Sequence, residues 1–245
     1  MYAIIGGTGL TQLPHLRIVR REVVRTPYGE PSGALTFGML GGHEVVFLAR
    51  HGYGHTIPPH RINYRANLWA LREAKVDCVL AVASVGGIRA EFGPGTLVAP
   101  DQLIDYTYER SQTFFEGAET PVTHIDFTWP YTPAIRQRLL AAAQACAEQV
   151  FDGGVYGASQ GPRLETGAEI RRMQRDGCDL VGMTGMPEAA LARELGLHYA
   201  CLAVVVNHAA GLGESTQEIS IEKLGDVVTG TMSRVHRILE TFVAP

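Results

Sequence analysis

Short apolar runs recur along the chain at spacings that predict buried strands: Tyr2–Ile5, Ala34–Met39, Glu44–Ala49, Cys78–Ala83, Thr96–Ala99, Val155–Ala158, Asp179–Met183 and Tyr199–Val206. The last is apolar from Ala200 to Val206, as expected of a strand covered on both faces. Helical patterns alternate with these runs. Asn63–Ala74 carries apolar residues at Ala66, Leu68, Trp69 and Leu71, and Pro133–Val150 is Ala-rich with Pro in its first turn. Thr166-Gly167-Ala168-Glu169 reads as a capping box opening a helix to Asp176, with Gly177 as its stop. Pro187–Leu195 has Glu188 in its first turn, and Ile221–Phe242 is a long amphipathic helix with an expected interruption near Gly230. The alternation predicts one α/β domain over residues 1–245, a central mixed twisted sheet flanked by helices. Asp105–Pro133 fits neither period; it is irregular and aromatic-rich, and loops of that length usually serve a site or an interface.

Composition narrows the picture without changing it. The 245 residues are 46% hydrophobic and 19% charged, ordinary for a globular domain with a substantial core. A net charge of −4 and a pI near 6.1 argue against a general nucleic-acid surface. No apolar run approaches a membrane span, and the N-terminus enters a strand-like run with no signal-peptide pattern. Cys78, Cys146, Cys178 and Cys201 form no CxxC pair, so they are expected as reduced, mostly buried thiols of a cytoplasmic protein.

The candidate chemistry lies just after the strands. Ile5 is followed by Gly6-Gly7-Thr8-Gly9, Ala49 by Arg50-His51-Gly52, Ala83 by Ser84, Met183 by Thr184-Gly185, and Val206 by Asn207-His208. In open α/β sheets ligands bind at the carboxyl ends of strands. Glycines let backbone N–H groups approach an anion, and Arg offers a planar fork to phosphate oxygens. A phosphate-sized anion held by Thr8, Arg50, His51, Ser84 and Thr184 fits, with the helix from Pro187 pointing its positive end the same way. Taken singly, each element has a plainer reading: a strand–loop turn at Gly6–Gly9, a structural pair at Arg50-His51. The glycine run fails the dinucleotide fingerprint at Gln12, and no P-loop is present. His51, His55 and His60 do not share a helix face and make a poor metal set. Gly157-Ala158-Ser159-Gln160-Gly161 matches a nucleophile elbow, but the next helix starts several residues too late for one.

Together these segments resemble the 5′-methylthioadenosine phosphorylase branch of the trimeric purine nucleoside phosphorylase family. The resemblance rests on Ile4–Leu10, Leu48–Gly52 with His55-Thr56-Ile57, Asn63–Asn67, Gly161–Glu169, and Gly182-Met183-Thr184 with Met186-Pro187-Glu188, and extends from residue 2 to about 225. It implies that inorganic phosphate attacks C1′ of a purine nucleoside, in a homotrimer and without metal or organic cofactor. Thr8, Arg50, His51, Ala83, Ser84 and Thr184 then correspond to phosphate contacts and Met183 to the residue under the ribose. Ala83 departs from the branch, which has a hydroxyl there; Ser84 can compensate.

The base site departs further. The adenine-type enzymes have an Asp-x-Asp pair where this chain has Asn207-His208-Ala209, and a small Ser where it has Glu165. Glu165 and Asn207 resemble the 6-oxopurine enzymes instead. A carboxylate accepts the N1–H of hypoxanthine, and an amide bridges O6 and N7. At the 5′ end, where 6-oxopurine enzymes place a His, the segment Glu218–Leu224 has none. Ile221 and Leu224 suit a methylthio group, unless they are plain helix core, and His124 of a neighbouring subunit reaches the same pocket if the Asp105–Pro133 loop lies at the subunit boundary rather than forming a lid. The substrate implied is 5′-methylthioinosine, with 5′-methylthioadenosine, inosine and guanosine as alternatives. A nucleotide-binding sensor on the same sheet is the non-enzymatic alternative.

Overall fold

The computed structural model describes residues 1–118, 120–217, 219 and 221–244, and of 221–223 the backbone only. Among these described residues eleven strands form one mixed sheet. Its centre is β1 (Tyr2–Gly6), β4 (His43–Ala49), β5 (Cys78–Gly87) and β11 (His198–His208). These run parallel, with Tyr2 opposite Val45 and Cys78, and His198 opposite Cys78. Their carboxyl ends therefore open on one side. β3 (Leu35–Leu40) and β2 (Arg17–Glu22) extend the sheet antiparallel beyond β4. On the far side β10 (Leu180–Gly182) pairs antiparallel with the last residues of β5, followed by parallel β9 (Val155–Ala158) and β7 (Gln102–Asp105). The short β6 (Leu97–Ala99) and β8 (Phe151–Asp152) attach through β11.

Apolar residues on both faces of the central strands account for their unbroken hydrophobic runs. On one face Ile5, Leu48, Ala81 and Val205 pack with Leu68 and Leu71 of α1 (Tyr64–Glu73) and with Ala189 and Leu191 of α4 (Gly185–Glu194). On the other, Ile4, Phe47, Leu80 and Val204 meet Leu139 of α2 (Pro133–Ala145) and Val235, Ile238 and Phe242 of α5 (Ile221–Val243). Met173 and Ile170 of α3 (Gly167–Arg175) form a smaller cluster with Ile88 and Ala209.

The local signals act as expected at most helix starts. Asn63 accepts the Ala66 N–H at 3.0 Å to cap α1. Thr166 and Glu169 complete the capping box of α3, and Gly177 adopts the left-handed φ of +93° beyond its end. Several expectations need correction. β5 does not stop at Ala83 but continues to Gly87, because Gly86 and Gly87 pair with Val181 and Leu180. β11 likewise runs past Val206 to His208, with its register shifting between Val205 and Asn207. Ser84 and Asn207 thus lie within strands rather than in loops after them. α2 ends at Ala145 rather than Val150, since Ala147 turns to φ +57°. α5 is not interrupted at Gly230: that residue faces open space, and Val228, Met232 and Val235 around it are buried. Tyr106–Thr132 contains no helix or strand among its described residues, as its pattern suggested.

Candidate active site

β1 and β4 end side by side, and the Arg50 amide donates to the Gly6 carbonyl at 2.9 Å, so the turns after both strands are tied together. Gly7 passes over the Arg50 guanidinium: a Cβ at Gly7 would stand 2.9 Å from Nη1 and 2.7 Å from the Val82 carbonyl oxygen. Only a residue without a side chain allows this approach. Thr8 follows, exposed, with its hydroxyl 3.0 Å from His55 Nε2. Ser84 on β5 donates its hydroxyl proton to the Thr8 carbonyl at 3.2 Å. Thr8, Arg50, His51, His55, Ala83 and Ser84 therefore share one corner of the sheet.

Arg50 is 1% exposed. Its Nε and Nη2 donate to the two oxygens of Glu188 at 2.6 and 2.8 Å, and Nη1 donates to the Val82 carbonyl at 3.0 Å. A guanidinium has five N–H donors, so two remain. Burial works against the charge, but the fully buried Glu188 more than offsets it, and Arg50 is held firmly protonated. Tyr199 donates to the same carboxylate at 2.8 Å. The first-turn acid of α4 is thus the partner that fixes Arg50, not only a complement to the helix dipole.

His51 is pushed down to about 4, first by burial and then by the charge of Arg50, so it is neutral at pH 7. Its Nδ1 lies 2.8 Å from the Ile57 carbonyl, which can only accept. The ring proton therefore sits on Nδ1, and Nε2 carries a lone pair. Thr184 precedes α4 as its N-cap residue, buried, with no hydrogen bond from its hydroxyl to the helix.

A second group forms around a pocket of about 170 Å³ bordered by Tyr106, Ser159, Gln160, Arg163 and Glu165. Ser159 donates its hydroxyl to Glu165 Oε1, and its amide donates to the Gly182 carbonyl at 2.7 Å. α3 begins only at Gly167, so Ser159 is not on a nucleophile elbow. Glu165 stands immediately before the capping box rather than in the first turn of the helix. Gly167 packs against Gly211, which brings this segment beside the one that follows Asn207. The Asn207 amide gives one N–H to the His208 carbonyl at 2.6 Å. Among the described residues its other N–H and its oxygen have no hydrogen-bond partner.

The two groups are joined through Met183 and Arg110. A Cβ on Gly161, which sits at φ +63°, would come within 2.5 Å of Met183 Sδ. Arg110, 9% exposed, donates to the carbonyls of Met183 and Met186 at 2.8 and 2.6 Å and to those of Ser159 and Gln160 at 3.3 and 2.7 Å. It fastens the irregular loop to both halves of the site. Sequence reasoning missed Arg110, Ser159 as a partner of Glu165, and the role of Glu188. A lone charge in the apolar run Met186–Leu191 was the available signal for Glu188.

The remaining candidates lie apart. Ala209 is buried with Ile170 and Met173, its amide donating to the Gly87 carbonyl at 2.7 Å. Leu224 packs against the α2–α5 core, in keeping with the helix-core alternative. The side chain of Ile221 is outside the described residues. His124 is exposed on the irregular loop. Among the described residues no group of three or more His, Cys, Asp and Glu could hold a metal ion, and no helix is long and apolar enough to cross a membrane.

In this mixed α/β sheet a buried arginine and several hydroxyl groups gather at one corner, next to a pocket bordered by Glu165 and Glu169. The chain belongs to the phosphorylase superfamily, whose sequence model matches residues 1–244. It is 57% identical over 225 residues to a probable S-methyl-5′-thioinosine phosphorylase of Xanthomonas campestris pv. campestris, covering 92% of this chain and 90% of that one. It is 49% identical to the 6-oxopurine nucleoside phosphorylase of Pyrococcus furiosus, covering 86% and 80%. Methylthioadenosine phosphorylase from Schistosoma mansoni in complex with adenine superposes with a TM-score of 0.94 at 31% identity, covering 99% of this chain and 90% of that one.

Proposed function

We propose that the protein cleaves 5′-methylthioinosine with inorganic phosphate, releasing hypoxanthine and 5-methylthioribose 1-phosphate. The observation that carries this reading is the Glu165 carboxylate on the pocket, one oxygen engaged by Ser159, in a chain that lacks the adenine-type acids at 207 and 209. An ionised carboxylate accepts the N1–H of a 6-oxopurine and opposes the bare N1 of adenine. The name of the Xanthomonas relative agrees with it.

Phosphate takes the corner of Thr8, Arg50, His51, Ser84 and Thr184, with Ala83 offering backbone only. The two unused N–H groups of Arg50 are available to it, and the neutral His51 accepts a proton from a phosphate hydroxyl or a ribose hydroxyl. Met183 lies under the ribose. As the glycosidic bond loosens, Asn207 stabilises the leaving base at N7 and O6, and Glu165 holds N1–H. Phosphate stabilises the oxocarbenium character at C1′ and then attacks it. The catalysis is positioning and electrostatics. It needs no metal or organic cofactor. The protein works as a cytoplasmic homotrimer in which the 106–132 loop, with His124, reaches a neighbour's 5′ pocket beside Ile221 and Leu224. Its free thiols, Cys78, Cys146, Cys178 and Cys201, suit that compartment.

Phosphorolysis of methylthioinosine, methylthioadenosine, inosine, guanosine and adenosine, measured side by side, tests the reading. Methylthioinosine is expected to lead methylthioadenosine by a large factor, since unpaired buried polar groups cost about 1–3 kcal/mol each. Asn207→Asp should cut methylthioinosine cleavage strongly and restore methylthioadenosine only in part, because Glu165 and Ala209 remain. Equal or better turnover of methylthioadenosine by the wild type would overturn the base assignment and leave the phosphorylase assignment intact.

A further inference from the structure

We propose that Ser159 is a specificity-determining positioning residue whose hydroxyl, held between Glu165 and the Gly182 carbonyl, keeps the Glu165 carboxyl in its ionised, accepting form and so makes the pocket refuse a purine whose N1 carries no proton. The inference rests on the functional reading above, in which Glu165 meets N1.

The geometry is specific. Ser159 is 7% exposed, and its main chain is fixed on both sides: the amide donates to Gly182 at 2.7 Å and the carbonyl accepts from Arg110 at 3.3 Å. The hydroxyl has two partners, Glu165 Oε1 and the Gly182 carbonyl oxygen at 3.4 Å. When Glu165 is ionised, the hydroxyl proton goes to Oε1. When Glu165 is neutral, its carboxyl proton goes to Oγ and the hydroxyl proton falls back on Gly182 across the longer contact. The first arrangement has the shorter, charge-assisted bond and is favoured. In the second the carboxyl proton is spent on Ser159 and is not offered to a base nitrogen. A neutral Glu165 could offer a donor only by carrying its proton on Oε2, and the Ser159 bond to Oε1 works against that by favouring the ionised form.

The surroundings sharpen the role. Burial pushes the Glu165 carboxyl up from the ordinary range; the Ser159 hydrogen bond opposes this, Glu169 adds to it and Arg163 opposes it. Glu169 is itself bound to Arg163 at 2.7 and 2.9 Å, which mutes both charges. Tyr106, Tyr108 and Arg172 complete the charged and titratable lining of the pocket. Ser159 is thus an uncharged side chain whose removal shifts the balance toward neutral Glu165. With alanine at 159 the neutral carboxyl can turn its proton into the pocket and donate it to a bare N1.

The test is the pH profile of kcat/KM for methylthioinosine and methylthioadenosine in wild type, Ser159→Ala and Ser159→Thr. In Ser159→Ala the acid limb of the methylthioinosine profile should move to higher pH. The ratio of methylthioinosine to methylthioadenosine at pH 7 should fall by about fivefold or more, the loss of one charge-assisted hydrogen bond. Ser159→Thr, which restores a hydroxyl, should return both toward wild type. Ser159→Cys, close in shape and a weaker donor, carries the same test with a smaller shift should the alanine variant not fold. An unmoved limb and an unchanged ratio in the folded alanine or cysteine variant would overturn the inference. Failure of the wild type to cleave either nucleoside with phosphate would instead overturn the functional reading.

Discussion

Arg50 carries a full charge inside the protein, and its removal should be felt in stability before it is felt in catalysis. Arg50→Ala strands Glu188, which is wholly buried, and breaking a buried pair from one side costs about 3–5 kcal/mol. For a domain of this size that lowers the melting temperature by about 10 °C, readable by calorimetry. Arg50→Lys keeps the charge and loses the fork; it should stay folded with the phosphate KM raised about tenfold or more. His51 has the opposite electrostatic character. Its folded value, about 4, lies below the 6.5 of the free side chain, so the unfolded chain takes up the proton first as pH falls. The stabilisation is complete above about pH 6.5 and is lost as pH drops toward 4, amounting to about 3 kcal/mol. Denaturant unfolding across this window should show a shallower pH slope for His51→Gln than for wild type. At this scale the cationic half of the site was legible, because Arg50-His51 directly follows a strand. Glu188 was not: a first-turn acid already has a local explanation, and its partner lies 138 residues away.

The elements that hold the base pocket are short and depend on single residues. The capping box of α3 sits directly after Glu165, and Glu169 within it is held down to about 2, chiefly by its Arg163 and Thr166 hydrogen bonds. Thr166→Ala should cost about 1 kcal/mol and raise the nucleoside KM more than it lowers kcat, because the start of the helix positions Glu165. Arg110→Lys replaces a guanidinium that donates to four main-chain carbonyls with a single ammonium. Its expected signature is a lower melting temperature together with faster amide exchange in 159–161 and 183–186, read by hydrogen-exchange mass spectrometry. The box itself was plain in the sequence, as was the start of α1, since caps are local chemistry. Arg110 was hidden because an irregular stretch gives no period against which a buried charge stands out. β2 was missed for a related reason: all six of its residues are exposed, so no apolar face marks it.

At the scale of the molecule the alternation of runs and helices was enough to give the mixed sheet, but not where the strands end. β5 and β11 outlast their apolar runs because the sheet supplies partners to Gly86, Gly87, Asn207 and His208 from distant segments. The assembly is expected to be a homotrimer, and sedimentation at micromolar concentration should show one; a monomer would place His124 outside any 5′ pocket. β5 also has a consequence for how the chain comes to be folded. It is the axle of the sheet, bonded to β1 near the start of the chain, to β10, and to β11 some 120 positions later. During synthesis one edge of β5 stays bare until residue 208 has left the ribosome. A growing chain therefore presents an apolar, hydrogen-bonding edge from the completion of β5 until its last strand arrives, and should be a client for chaperones over that interval. A fragment ending at Leu197 should accordingly aggregate or bind a chaperone rather than fold, although it contains Thr8, Arg50, His51, Glu165 and Thr184.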